Sequence, residues 1–483
     1  MQGNELKERH VIVGAGIAGC TAAIMRRLAG YEVLVLERAK SKNPQVFPIC
    51  TETSTVVSEN HSGAEYPYDP QSTKDCLDGR IANERFFPDL IYGGKDYTRI
   101  IASQKMTDSE DDISQRCRDT LEIIKNHYRR RVQEDDSNRV FGDPDEIVAE
   151  LEGGCEGVRD VAAAFITPQR GLNPVYVATL LDAELRRLGI QFRQGCQVTS
   201  IQREDGDTLS VSFLDEQGHQ NNVRADQVCI TAAGQGFRFA KMLNPQFQFP
   251  PIYFALRQIL LVGLPKDSPT SKTYTCLKLE DRHGGMFSPF NQECVLIYHP
   301  PAAHIEVARM HPDDCTLPPS YLQSLRDGHH ESEERAYWTL EKLKEYYPEL
   351  ERAEILRVCH KIATNTVDVS RIRRNMGVFP ICPGCNMIAL PKWTMSVVNA
   401  KEDVGLALDY SVQRGALTQA EKIARLEHAV SHSVPVPESW KVNPTSFCRA
   451  AEEHAQNMDF PEIAAQPMNL NKILSLQSER ILV

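Results

Sequence analysis

No run in this chain approaches the roughly 20 uninterrupted apolar residues that a membrane-spanning helix needs. The opening residues, Met1 to Arg9, are polar and lack the apolar segment of a secretory signal. Long basic stretches are also missing, and the formal net charge is -11. Nucleic acid is therefore not expected as a partner, since its recognition needs a clustered positive surface. The 14 cysteines show no framework of short, regular spacings, so they read as reduced thiols in a cytosol. What these absences leave is an acidic, cytoplasmic protein. With 483 residues, 41% of them hydrophobic, it can build two or three domains with substantial cores.

The first informative segment is the short apolar run His10 to Val13, which ends in Gly14-Ala15-Gly16-Ile17-Ala18-Gly19. A helical pattern follows from Ala18 to Leu28, with Gly30 where a helix would stop. Glu32 to Leu36 then reads as a buried parallel strand closed by the acid Glu37. Strand, glycine turn, helix, strand and acid within about 30 residues form the dinucleotide fingerprint. Gly14 permits the tight turn, Gly16 lets backbone approach a pyrophosphate, and Gly19 lets helix and strand pack closely. The helix start, at Ile17 and Ala18, offers unpaired N–H groups to phosphates. Glu37 can accept hydrogen bonds from both ribose hydroxyls.

Four later segments carry a family resemblance. They are Ser58-Glu59-Asn60-His61-Ser62-Gly63; Thr167 to Pro174 with its following helix and the strand around Val198; Ala225 to Gly234; and Ala389 to Met395 before a helical stretch from about Lys401 to Gln413. In this order they resemble the D-amino-acid oxidase superfamily of FAD-dependent oxidoreductases, with its glutathione-reductase-like FAD fold. Glycine and sarcosine oxidases and L-2-hydroxyglutarate dehydrogenases belong to that superfamily. The resemblance spans residues 8 to about 415. It implies an α/β chain: a Rossmann-like FAD-binding domain with a parallel sheet and β-meander, plus a substrate domain whose mixed or antiparallel sheet is covered by helices. It further implies FAD contacts at Arg38, Ser58, Asn60, His61, Ser62, Val198, Ala233, Gly234, Trp393 and Thr394, besides those of the fingerprint. Where family members usually have a glycine-rich final loop, this chain has Lys392 and Trp393.

On this basis the FAD-binding domain is expected in three parts, 8–98, 157–249 and 377–430. The substrate domain takes 99–156 and 250–376, and residues 431–483 form a C-terminal extension that could wrap the FAD domain, line a tunnel or make a dimer contact. From about Arg99 to Gly154 the pattern is helical, with Ile113, Cys117, Leu121, Ile124, Tyr128 and Val132 on one apolar face. The resemblance implies transfer of a hydride to flavin N5 from the C–N or C–O carbon of a small amino or hydroxy acid. Such a substrate needs a cation for its carboxylate and a group to take a proton.

His61, in the loop beside the flavin, is a candidate proton acceptor or flavin attachment point; the plain alternative is a histidine bonded to backbone. His283 and His299, at strand ends with Tyr298, are further candidates, as is Arg257 for a carboxylate. Lys392 is the cation expected to face flavin or substrate. No metal site is expected. Cys382-Pro383-Gly384-Cys385 lacks a second ligand pair for a metal and a βαβ context for thioredoxin chemistry, so it reads as a reduced turn. The electron acceptor (oxygen, a quinone or a protein) stays open. Alternative readings are a flavin-dependent hydroxylase, or a protein of this fold that binds a partner without redox turnover.

Overall fold

The computed structural model describes residues 8–50, 59–66, 69–88, 98–103, 113–152, 155, 157–171, 174–204, 207–265, 275–278, 285–289, 294–298, 303–311, 313, 315–368, 371–373, 377–389 and 392–457. Six strands from distant parts of the chain form one sheet. They are β1 (Arg9–Val13), β2 (Glu32–Leu36), β8 (Gln191–Arg193), β12 (Gln227–Ile230), β20 (Val378–Cys382) and β21 (Cys385–Ile388), in the order β20-β21-β12-β1-β2-β8. All neighbours run parallel except the β20–β21 hairpin.

The sheet is apolar on both faces because each is covered. Ile12, Val33, Val35 and Cys229 join one core with the helices α1 (Ile17–Leu28), α4 (Pro174–Arg187) and α8 (Ser396–Gln413). Their neighbours Val11, Val13, Leu34, Leu36, Val228 and Ile230 alternate to the opposite face. There they meet the antiparallel meander β9 (Gln197–Arg203), β10 (Leu209–Leu214) and β11 (Gln220–Ala225) and the helix α5 (Gly236–Leu243). Each fully buried Val, Ile or Leu here contributes about 1.5–3 kcal/mol relative to exposure.

A second, mixed sheet of ten strands runs β19-β18-β13-β16-β15-β14-β4-β6-β5, with β17 on β13. Its long central pair is β13 (Ile252–Gly263) and β18 (Glu354–Asp368). The others are β4 (Thr98–Ser103), β5 (Ala149–Glu150), β6 (Val161–Thr167), β14 (Thr275–Lys278), β15 (Gly285–Pro289), β16 (Cys294–Tyr298), β17 (His304–Arg309) and β19 (Arg371–Arg373). Leu260, Val262, Val295 and Ile297 pack under α3 (Ile113–Glu134) and α7 (Ser332–Lys344). Ile259, Leu261 and Leu296 turn the other way, into the core that holds α1 and α8. One face of the large sheet is thus directed at the helices that cover the six-stranded sheet. The helix α6 (Pro319–Asp327) and the two-stranded pair β3 (Glu59–Asn60) and β7 (Arg170–Gly171) complete this part.

Three elements differ from the sequence reading. The helical pattern expected from Arg99 begins as strand β4, paired with β6 and β14, and the described helix α3 starts at Ile113. The helix expected from Lys401 to Gln413 starts five residues earlier, at Ser396. Helix α2 (Pro70–Phe86) was not anticipated. Its start is conventional, with Pro70 in the first turn and the Asp69 carboxylate accepting from Ser72 N at 3.1 Å. Its inner face does not read as apolar: Ser72, Thr73, Arg80 and Asn83 are buried along with Cys76, Leu77, Ile81 and Phe86, while Gln71 is exposed and Lys74, Asp75 and Asp78 are part-exposed.

The helices α9 (Gln419–Ser431), α10 (Glu438–Val442) and α11 (Pro444–Asn457) pack over α1, α4 and α8. Arg425 donates to Ala29 O at 2.8 Å and Val434 N to Phe86 O at 2.6 Å. Phe447 meets Tyr176 at 5.2 Å, and His454 lies 3.3 Å from Asp182, both on α4.

Candidate active site

At the C-terminal end of β1 the chain must turn sharply into α1. Gly14 does so with φ of +104°, a left-handed conformation that disfavours a side chain. Gly14 N donates to Leu36 O at 2.9 Å, and the Thr231 hydroxyl bonds Val13 O or Gly14 O, each at 2.9 Å. Gly16 precedes α1 with no side chain capping it, leaving the first amides to the turn. A Cβ on Gly19 would stand 1.9 Å from Gly14 O, so only glycine lets the helix approach this closely. Ile17 and Ala18 are buried. Glu37 accepts from Ala15 N and Ala39 N, both at 2.7 Å. The carboxylate that the fingerprint gives to ribose therefore also braces the glycine turn. Arg38 is exposed, and Val198 is buried on β9. Ala233 takes a left-handed φ of +45°, and Gly234 packs beside Leu317.

The second half of the site joins loops from opposite ends of the chain. His61 N donates to Thr394 Oγ1 at 2.8 Å, across 333 residues. Asn83 on α2 reaches both sides, donating to Asn60 Oδ1 at 3.0 Å and to Thr394 O at 3.1 Å. Gly79, one turn earlier, is required by the same loop: a Cβ there would meet Thr394 O at 2.6 Å. His61 Nδ1 lies 3.0 Å from the Glu65 carboxylate, which is fully buried. Glu65 also accepts from the Gln169 amide, whose oxygen receives Ser62 N at 3.3 Å. The Lys392 ammonium stands 3.9 Å from the centroid of Tyr66, and the His61 ring is 6.1 Å from the same residue. A cation over an aromatic face is held without losing its charge. Trp393 stacks on Phe87 at 6.0 Å and begins a short turn that leads into α8.

Of the residues expected from sequence, Asn60, His61, Ser62, Lys392, Trp393 and Thr394 are thus brought together. Ser58, His283 and His299 lie outside the described residues. Arg257 stands on the large sheet with its guanidinium 5.8 Å from the Tyr298 ring, and the Tyr298 hydroxyl pairs with His304 Nε2 at 2.8 Å. Glu65, Asn83 and Gln169 were not anticipated. Glu65 had one signal, its four-residue spacing from His61, whereas Asn83 and Gln169 acquire their roles only through the packing of α2 and β6. No cluster able to hold a metal ion occurs among the described residues, and no described helix is long and apolar enough to cross a membrane.

The arrangement fits FAD. The glycine cradle and the uncapped start of α1 suit a pyrophosphate. At the other end Ser62 and Ser396 are fully buried, and their hydroxyls have no protein partner, as expected of groups that bond a ligand. Ser396 opens α8, an 18-residue helix whose N-terminus favours negative charge.

A family model described as FAD-dependent oxidoreductase (DAO) matches residues 9–365. No curated protein sequence matches the chain. Among solved structures, the L-amino acid deaminase from Proteus vulgaris is 14% identical, with 85% of this chain and 95% of that one covered at a TM-score of 0.56. Glycine oxidase from Geobacillus kaustophilus is 16% identical over 84% and 95%, at 0.52. L-α-Glycerophosphate oxidase from Mycoplasma pneumoniae, solved with FAD bound, is 15% identical over 83% and 94%, at 0.54. Identities this low show a shared fold and no more. The family match, however, spans the glycine cradle, the His61 loop and most of the large sheet, and with it the chain belongs to the DAO family of FAD-dependent oxidoreductases.

Proposed function

We propose that this enzyme oxidises a small amino or hydroxy acid at its C–N or C–O carbon. Bound FAD supplies the hydride acceptor, N5 of the flavin. The observation that carries the reading is the convergence of His61, backed by Glu65, with Lys392 around Tyr66, directly before the N-terminus of α8. The Lys392 ammonium binds the substrate carboxylate. The His61 ring takes the proton from the substrate amine or hydroxyl, and the adjacent Glu65 carboxylate favours the charged ring that results. The α8 N-terminus and the Ser396 hydroxyl would stabilise the negative charge that develops on the flavin's pyrimidine side on reduction. Asn60, Ser62, Trp393 and Thr394 would hold the flavin, and Glu37, Arg38 and Val198 the adenosine. Arg257 and Tyr298, on the sheet face turned toward this domain, form the outer wall of the substrate pocket. The likeness to a glycine oxidase and an L-amino acid deaminase supports the amino-acid side of the reading.

The division of the chain follows the sheets. On this reading 8–98, 168–249 and 377–430 would build the FAD domain, and 99–167 and 250–376 the substrate domain, with one boundary at 168 rather than the 157 expected from sequence. The crossover into the second FAD segment falls after Thr167, since β6 pairs with β4 in the large sheet.

The test is anaerobic titration of the purified yellow protein with amino and hydroxy acids. Bleaching of the flavin bands by one class is expected. Lys392→Met should raise KM for that substrate with kcat less affected, and His61→Gln should lower kcat. If neither class bleaches the flavin of correctly folded holoenzyme, the substrate assignment is wrong.

A further inference from the structure

The turn Cys382-Pro383-Gly384-Cys385 has no part in the flavin site. It joins β20 to β21 at the end of the sheet opposite the glycine cradle. Cys382 and Cys385 are register partners across this hairpin. Directly opposed residues of an antiparallel pair have Cα atoms about 4.5–5.5 Å apart, inside the range a disulfide spans. The two thiols are nonetheless unlike. Cys385 is fully buried, in the parallel ladder opposite Val228, whereas Cys382 is partly exposed.

The sequence gives no cation near this turn; the fold supplies one. Arg203, from the end of β9, places its guanidinium 3.4 Å from Cys382 Sγ and donates to Pro383 O at 2.5 Å. The second bond anchors the guanidinium on the turn beside the sulfur, with Asp207 3.6 Å from its other terminal nitrogen. A hydrogen bond from Cys385, opposed by burial and joined by Arg203, brings the Cys382 thiol down to about 6. Cys385 shifts the opposite way, well above the usual thiol range, because it donates to Cys382 and is buried. A nucleophilic thiolate beside a protonated, buried second thiol is the division of labour that thiol–disulfide exchange needs.

We infer that Cys382 and Cys385 form a thiol–disulfide exchange site for small disulfides of the glutathione type, with Cys382 attacking and Cys385 resolving. The Cys382 thiolate attacks one sulfur of the small disulfide, forming a mixed disulfide and releasing one thiolate. Cys385 then attacks Cys382 Sγ, closing the intrachain bond and expelling the second thiolate, which takes up the proton that Cys385 gives up. The protein gives up two electrons and the small disulfide takes them. Cys385 needs no access of its own, since its target is the sulfur across the hairpin.

The holoenzyme is incubated with glutathione disulfide at neutral pH, alkylated and digested with trypsin. The peptide Asn375 to Lys392 carries both cysteines and should become two hydrogens lighter and resist alkylation. Cys385→Ser should instead trap glutathione on Cys382. Cys448 is the internal control, because it is equally part-exposed but has its thiol raised by burial and by Glu452. In the reduced protein the pH midpoint for alkylation of Cys382 should fall near 6, against about 8.5 for an ordinary thiol. Arg203→Met should move it upward. The midpoint is the reading of choice, since intrinsic nucleophilicity rises with pKa and masks rate changes at one pH. A Cys382 midpoint no lower than that of Cys448 overturns the inference. So does a peptide that keeps both thiols under glutathione disulfide.

Discussion

Replacing Asp403 with leucine should damage both the fold and its hold on FAD. Asp403 sits in the middle of α8 and Arg26 near the end of α1, and neither side chain has any exposure. Two hydrogen bonds of 2.8 Å join them, Nε to Oδ2 and Nη2 to Oδ1, a bidentate fork. Asn386 also donates to Asp403, at 3.0 Å, and Arg26 Nη1 contacts His10 Nδ1 at 3.0 Å. Burial by itself would favour a neutral Asp403, yet Arg26 outweighs it and holds the carboxyl below its usual range. Both groups are therefore charged. Removing one leaves a guanidinium in the core without a counter-charge, which costs about 3–5 kcal/mol. Removing both, as Arg26→Met with Asp403→Leu, should restore most of that loss, because a packed apolar pair of similar volume is often neutral relative to a buried ion pair. The stability cycle in urea should accordingly show strong non-additivity, with the double variant more stable than Asp403→Leu alone. The same cycle has a functional readout. α1 and α8 carry the two helix N-termini assigned to FAD, so Asp403→Leu should release FAD at lower urea than either wild type or the double variant. The reasoning is refuted if Asp403→Leu lies within about 1 kcal/mol of wild type, the range of an exposed pair. Single effects that simply add would refute it equally.

Gly19→Ala places a methyl 1.9 Å from Gly14 O, so the turn must open. The purified variant should carry far less FAD by its visible-to-ultraviolet absorbance ratio, and full occupancy would argue against the cradle. His10 is held well below its ordinary value by burial and then by Arg26, so the folded state refuses a proton that the unfolded chain accepts near 6.5. Stability should be fully present above pH 6.5 and fall below it by up to about 1.4 kcal/mol per pH unit. Urea midpoints from pH 7.5 to 5 should show a shallower slope in His10→Asn, and an unchanged slope would dismiss His10 as the cause. Glu65→Gln removes the carboxylate beside His61. It should lower kcat by at least about tenfold, part of the 10²–10⁴ that a placed base contributes. The acid limb of the pH–rate profile should also shift to lower pH, because a protonated ring loses its partner. An unmoved limb would reduce Glu65 to a structural role.

The sequence by itself determined the dinucleotide cradle, since turn, helix, strand and acid there are neighbours along the chain and each obeys a local rule. Gly14, Gly19 and Glu37 stand where that spacing requires. The alternation of β1 and β2 and the helical period of α3 and α4 were legible for the same reason. Helix α2 was not, because the polar Ser72, Thr73, Arg80 and Asn83 interrupt its buried face, which leaves little contrast between wet and dry faces in the sequence. The start of α8 was also hidden, in a loop where the chain departs from the family's glycine-rich pattern. Above all, tertiary structure decided the chemistry. It set Thr394 against His61, Gln169 against Glu65, and Arg203 against Cys382. Each pairing joins residues more than 100 positions apart, where no periodicity or spacing can reach, and only the closing of sheets and helices brings the partners within a few ångströms.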